Sequence, residues 1–211
     1  MTTASDAKGR PHRAPRGEGD RLRVELLDAA ERLLAEKGSI EAVSVRAVAT
    51  AVGVTPPSIY LHFEDKDELF FEVCRRGFLD FGAGLAAALE GVEDPVEQVR
   101  ALGRAYVRFG LERPEQYRIL FGQKVAIPGS IETPDELPGM QAFQVLVDAI
   151  ERGVEAGAFR DGDPVTMAIG LWATTHGYVT LTHFEEDAPD ELPIGGALED
   201  VLDQAIHGIL A

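Results

Sequence analysis

Residues 52–63 read VGVTPPSIYLHF, and this stretch restricts the fold more than any other. Two adjacent prolines do not belong inside a helix, where each removes a backbone donor and its ring collides with the preceding turn. They are tolerated in a first turn, whose N–H groups have no intrahelical acceptor. Thr55 then stands as an N-cap, with Ile59 and Phe63 on one face of the helix that follows. Upstream, Ala49 is a small residue in a helix-spaced run, and Gly53 comes four residues later. Two short helices that cross closely need a small side chain at the contact, and their turn needs a residue that accepts positive φ. The spacing predicts a helix-turn-helix. Ser58, Tyr60, Leu61 and His62 are expected to face outward or sideways, and Lys66 to stand at the head of the next helix, within reach of a phosphate. A plain bundle of three short helices is the alternative, with Tyr60 and His62 packed against the fourth.

The rest of the chain also reads helical. Leu26, Leu27, Ala30, Leu33 and Leu34 form one stripe ending near Gly38. Ser44 starts a second helix. Asp65, three residues before Glu68, makes a capping-box pattern, and Asp94-Pro95 and Asp163-Pro164 open further helices. Residues 122–138 and 185–193 read as loops. The expectation is an all-α chain of about nine helices. YVTLTHF, residues 178–184, is kept helical although its composition suits a strand.

Charge is unevenly spread. Residues 1–66 hold 10 Lys and Arg against 10 Asp and Glu, and residues 67–211 hold 10 against 26, the whole excess of -16. The first third therefore suits an anionic partner better than the remainder does. Residues 1–19 read as a disordered basic arm, and Arg10, Arg13, Arg16, Arg21 and Arg23 supply either attraction to DNA, by way of the minor groove, or only solubility. Cys74 is the one cysteine, which excludes an internal disulfide framework and fits a reducing, cytoplasmic setting. No apolar run reaches the roughly 18 residues of a membrane span, and no secretory leader is seen.

The segment Gly53, Val54, Thr55, Pro56, Pro57, Ser58, Ile59, Tyr60, Leu61, His62, Phe63, then Lys66 and Leu69, resembles the signature of the TetR/AcrR transcriptional regulators. The likeness covers about residues 20–70. LWATTHGYVTL, with Trp172, His176 and Gly177, is similar to the Trp-His-Gly element of one C-terminal subfamily, and RPEQYRILF to a recurrent short helix there. The resemblance implies a homodimer of all-helical subunits: a helix-turn-helix DNA-binding domain over 20–65, and a ligand-binding and dimerisation domain over 66–211. It puts base or backbone contacts on Thr55, Pro56, Ser58, Tyr60 and His62, and phosphate contacts on Ser44, Arg46 and Lys66. The recognition helix has no Lys or Arg, so bidentate guanine readout from it is excluded.

Phe78, Phe81, Tyr106, Phe109, Tyr117, Phe121 and Phe143 recur at helical spacing in the second part. Most belong to the core, and so many can also line an apolar cavity for a small-molecule effector, with Trp172 and His176 as further candidates. Trp172 reads first as core. His176 and His183 lie seven apart, without a Glu-x-x-His pattern or a nearby cysteine, so they read as packed or solvated rather than metal-bound. Asp80 and Glu112 are candidates for a cationic ligand, although solvated faces suit them better. Ala168, Gly170, Ala173, Gly177, Ala197, Ala205 and Gly208 in the last two helices permit close packing, with a second copy or as an internal hairpin. No Gly-x-Ser-x-Gly, P-loop, Rossmann glycine set or His-Glu-x-x-His occurs, so no catalytic residue, metal or cofactor is assigned. The expected function is a ligand-responsive repressor at a palindromic operator. An activator, a helical enzyme and an interaction protein are the alternatives.

Overall fold

Side-chain caps start the helices where the sequence marks them. Ser44 Oγ accepts from the Ala47 N–H at 3.1 Å, Asp65 from Glu68 at 2.8 Å and Asp94 from Glu97 at 2.9 Å. Each satisfies one of the donors a helix start leaves open. The Glu68 carboxylate reaches back to the Glu64 N–H, one residue before its cap. A computed structural model describes residues 18–186 and 196–211. Among the described residues there are nine α-helices and no strand: α1 (Glu18–Lys37), α2 (Val45–Val52), α3 (Pro56–Ile59), α4 (Lys66–Ala88), α5 (Pro95–Glu112), α6 (Pro114–Gly122), α7 (Pro138–Glu155), α8 (Pro164–Glu186) and α9 (Leu198–His207). The all-helical expectation holds, and residues 178–184 run on as part of α8. Most of the arm expected over 1–19, with Arg10, Arg13 and Arg16, lies outside the described residues, although Glu18 and Gly19 already belong to α1.

The turn between α2 and α3 follows the sequence reading. Gly53 has φ 78°, a left-handed conformation that a residue with a Cβ adopts only under strain. Its N–H and that of Val54 close the end of α2 on Thr50 and Ala49 carbonyls. One expectation fails. Thr55 does not cap α3 through its side chain, and its Oγ1 pairs instead with Ser58 Oγ at 3.1 Å. A cap needs the second or third N–H of the helix. The second residue is Pro57, which has none, and the Ser58 N–H is already taken by the Thr55 carbonyl at 2.9 Å. The regular helix is one turn long. Residues 60–62 continue it as a turn, with the His62 and Phe63 N–H groups both on the Ile59 carbonyl.

Two apolar clusters hold the chain. One gathers Leu26, Leu34, Val48, Ile59 and Phe63 against Leu69 and Phe70 from the first half of α4, and takes in Ile119 from α6. The other is built on Phe81, Tyr106, Ile150, Phe159 and Val179 and fills the body. There α4 packs on α7, α5 on α8, and α9 across α5 and α8. The chain end is tied in by an antiparallel bridge between Phe159 and Leu210, with the Arg160 N–H on the Ile209 carbonyl at 3.0 Å.

Gly153 sits inside α7, where helix propensity alone would favour Gly153→Ala by about 0.5–1 kcal/mol. An added Cβ, however, would stand 2.2 Å from two carbons of the Phe159 ring, which is 2% exposed. Overpacking a closed core typically costs about 1–3 kcal/mol, so the clash outweighs the propensity. Gly153→Ala is expected to lower the urea midpoint. A raised midpoint would show that the ring can move aside.

Candidate functional site

The helix-turn-helix presents a mixed polar and apolar face with few charges. Ser44, Arg46, Thr55 and Tyr60 are exposed, while Pro56, Ser58, His62 and Lys66 are half-buried. Tyr60 is 53% exposed and Leu61 82%, so Leu61 is the most exposed large apolar side chain of the segment, although the family resemblance puts no contact on it. Its position after Tyr60 carried the signal: Ile59 and Phe63 face the core and leave the residues between them outside. Lys66 Nζ lies 5.8 Å from the Phe70 ring centroid, so its stem follows the surface while its ammonium stays near the turn. No ion pair holds Arg46 or Lys66 among the described residues. Two arginines expected in the basic arm are engaged elsewhere. Arg23 bonds Glu72 at 2.6 Å and lies 5.0 Å from the Phe63 ring centroid, and Arg21 pairs with Glu25 at 3.3 Å. Helix α1 reaches back far enough to give both a partner.

A dense joint connects this unit to the body. Arg76 on α4 reaches Asp28 at 2.6 Å and Glu31 at 2.5 Å on α1. The Gln116 amide on α6 donates to Glu31 at 3.0 Å. Burial would raise the Glu72 carboxyl, but hydrogen bonds from Arg75 and Arg23 outweigh it and hold the group below its usual range. Gln123, just past α6, donates to the Gly38 carbonyl at 3.0 Å and accepts from the Ile40 N–H at 3.3 Å.

In the body, a cavity of about 550 Å³ opens between α4, the end of α6 with its following loop, α7 and α8. Of the nine ligand candidates, Phe78, Phe81, Tyr106, Phe121, Phe143 and Trp172 line it. Phe109, Tyr117 and His176 do not. They stand behind its wall, with Phe109 4.8 Å from the Phe81 ring centroid and Tyr117 4.9 Å from that of Phe121. Sequence reasoning missed the aliphatic side: Val125 and Ile127 from the loop, Leu137, Met140 and Leu146 near and on α7, and Val165 and Ile169 on α8. A loop has no periodicity to mark its inward residues. Asp80 and Glu112 do not line this cavity either. Among the described residues, the lining includes no Asp, Glu, Lys, Arg or His. Cys74 does line it, and burial pushes its thiol up to about 12, so it is present there as a neutral S–H.

Behind the wall is a polar cluster. Trp172 Nε1–H donates to the Tyr106 hydroxyl at 3.2 Å, and the Tyr106 and Tyr117 hydroxyls lie 2.9 Å and 2.7 Å from His176 Nδ1. Burial lowers the His176 pKa, which favours a neutral ring whose Nδ1 accepts. Burial raises the Tyr106 pKa, so its hydroxyl keeps its proton and donates. An unfolded histidine takes its proton near about pH 6.5, before the folded one does. The stability contributed by neutral His176 is therefore present above that value and lost as pH falls below it. Between about pH 6.5 and 5, before carboxylates titrate strongly, the wild-type melting temperature is expected to fall faster than that of His176→Gln. Parallel curves would refute the assignment.

On α8, Val165, Ile169, Gly170, Ala173 and Leu181 are exposed, an apolar stripe along one side. Ala168 is 0% exposed and belongs to the body core, so it is not available to a second chain. The outer side of α9 is charged: Glu199 pairs with Arg104 at 2.6 Å, and Asp203 with Arg100.

Residues 26–73 match the description "Bacterial regulatory proteins, tetR family", and residues 99–205 match "Tetracyclin repressor-like, C-terminal domain". The chain belongs to the TetR family. It is a DNA-binding regulator of transcription. The HTH-type transcriptional activator FasR of Mycolicibacterium smegmatis is 28% identical over 166 residues, 78% of this chain and 72% of that protein. The HTH-type transcriptional repressor KstR2 of Mycobacterium tuberculosis is 28% identical over 148 residues, 68% and 72%. Among solved structures, a protein of unknown function from Rhodococcus sp. RHA1 superposes with a TM-score of 0.75 at 28% identity, over 97% of this chain and all of that one. A putative TetR family regulator from Vibrio parahaemolyticus gives 0.70 at 21% identity, over 90% and 98%, which bears on the fold alone. No helix among the described residues of this TetR chain is long and apolar enough to cross a membrane.

Proposed function

We propose that the chain is a ligand-responsive repressor, acting as a cytoplasmic homodimer on a palindromic operator. The observation that carries this reading is the uncharged cavity of about 550 Å³, with Phe121 and Gln123 at the end of α6 in its wall, while Ile119 of the same helix packs into the helix-turn-helix core. A molecule filling that cavity acts on a helix shared with the DNA-binding unit. The division into a DNA-binding domain over 20–65 and an effector and dimerisation domain over 66–211 suits the two apolar clusters, with α4 common to both.

On this reading Ser44, Arg46 and Lys66 meet phosphates, and Thr55, Pro56, Ser58, Tyr60 and His62 meet base edges or backbone. Phe78, Phe81, Tyr106, Phe121, Phe143 and Trp172 enclose the effector. The exposed stripe on α8 favours pairing with its copy, and the Trp-His-Gly likeness at Trp172, His176 and Gly177 belongs to that helix. Two such subunits must place their α3 segments about 34–36 Å apart to enter successive major grooves. A ligand that prefers the wider or narrower dimer releases DNA by population shift. We assign no catalysis.

The test is DNA selected from a random library, followed by affinity measurements against salt. Selected sequences are expected to be palindromic, and log affinity to fall linearly with log salt, with a modest slope because so few cations face outward. Non-palindromic selection, or a monomer by light scattering, would refute the dimeric reading. A reporter gene whose output rises with the protein would make it an activator.

A further inference from the structure

Gln123 faces two ways. The residue lines the cavity, and its amide holds the turn between α1 and α2 through the Gly38 carbonyl at 3.0 Å and the Ile40 N–H at 3.3 Å. That turn leads directly into the first helix of the helix-turn-helix. The other polar side chains of the lining are bonded within the body. Trp172 donates to the Tyr106 hydroxyl, which in turn bonds His176, and the Cys74 thiol donates to the Ile119 carbonyl at 3.9 Å. Gln123 is bonded too, but to the turn of the DNA-binding unit, so a change at its amide is transmitted there.

The lining also limits the ligand. None of the described lining residues carries a formal charge, and burial lowers the pKa of His176 behind it, which favours its neutral form. An ionised carboxylate or ammonium placed there would lose its hydration without a counter-ion, which is strongly unfavourable. A primary amide, in contrast, has two donors and two acceptor lone pairs, so Gln123 can meet a hydroxyl, ketone or ester oxygen.

We propose that the effector is an uncharged, largely apolar molecule with one hydrogen-bonding oxygen, and that it acts by drawing the Gln123 amide away from Gly38 and Ile40. The inference rests on the ligand-responsive reading above. With the amide turned into the cavity, the Gly38 carbonyl and Ile40 N–H lose their partner, and the α1–α2 turn is free to shift. The ligand then favours the released state, as population shift requires. Gln123 is a positioning residue here, because it acts on the DNA-binding unit and touches no base.

The experiment uses the full chain and its library-selected DNA. Matched probes share a straight-chain or a fused-ring hydrocarbon frame and end in a hydroxyl, a methyl ester, a free carboxylate or an amine. Thermal shift and direct titration are expected to show binding of the alcohols or esters, with the carboxylate and amine weaker by about tenfold or more. Equal or tighter binding of a charged probe overturns the ligand class, and so does no binding by any neutral one. For a probe that binds, wild-type affinity for DNA is expected to fall about tenfold or more at saturation, within the usual range of allosteric coupling. Gln123→Met keeps the length and removes both bonds. It is expected to bind the same probe about threefold to tenfold more weakly, the loss of one hydrogen bond, and at saturating probe to lose the response of DNA affinity to it.

The two levels of failure are distinct. If neutral probes bind and wild-type DNA affinity does not change, the ligand-responsive reading falls. If wild type responds and Gln123→Met responds equally, only the role of Gln123 falls. Should Gln123→Met fold poorly, Gln123→Glu keeps an acceptor for Ile40 and removes the donor to Gly38, and it is expected to show a weakened response.

Discussion

Ile59→Asp is expected to abolish DNA binding while leaving most of the helical signal intact. Ile59 is 0% exposed and is the one buried residue of α3, a helix of a single turn. A carboxylate there would face Leu26, Val48 and Phe63, with no partner in that cluster. Burying an unpaired charge belongs to the short list of changes that cost more than about 4 kcal/mol. One turn of helix with a single anchor cannot remain docked against that. The body core is a separate cluster and contains none of α1, α2 or α3. Circular dichroism should therefore retain the larger part of its signal, while anisotropy with selected DNA shows no binding. DNA affinity kept within about threefold would mean that the recognition segment is anchored elsewhere.

Phe159→Ala should be the most destabilising change in the body, by about 3–5 kcal/mol, the usual range for deleting a buried aromatic ring. The ring is among the largest fully buried side chains and lies against the open face of Gly153. It also starts the bridge that ties down the chain end after α9. Its loss leaves a void and loosens α9, which packs on α5 and α8. Urea unfolding followed by tyrosine or tryptophan fluorescence reads the effect, and a loss below about 1.5 kcal/mol would refute it. The double change with Gly153→Ala should be less harmful than the sum of the two, because the new methyl enters the space the ring vacates.

Much of the fold was legible because its signals are local. Gly53, the paired prolines, the Asp caps and the helical stripes each act over a few residues, so the chain announces them in order. The exceptions are also physical. Thr55 failed as a side-chain cap because Pro57 has no donor and Ser58 had spent its own. Arg23 looks like part of a basic arm in the sequence because its partners, Glu72 and Phe63, lie 49 and 40 residues further along. The aromatic half of the cavity was found from residue type, whereas Val125, Ile127 and Ile169 were not, since an aliphatic side chain looks the same whether it faces a cavity or a core.

The sequence by itself determined the helical class, the helix-turn-helix and its uncharged recognition segment, because spacing and side-chain chemistry in a short window suffice for these. The tertiary structure decided which aromatics enclose space and which stand behind them, what Arg23 and Arg76 hold, and that Gln123 spans cavity and turn. Those depend on helices far apart in the chain meeting at particular angles, and no local pattern encodes such a meeting.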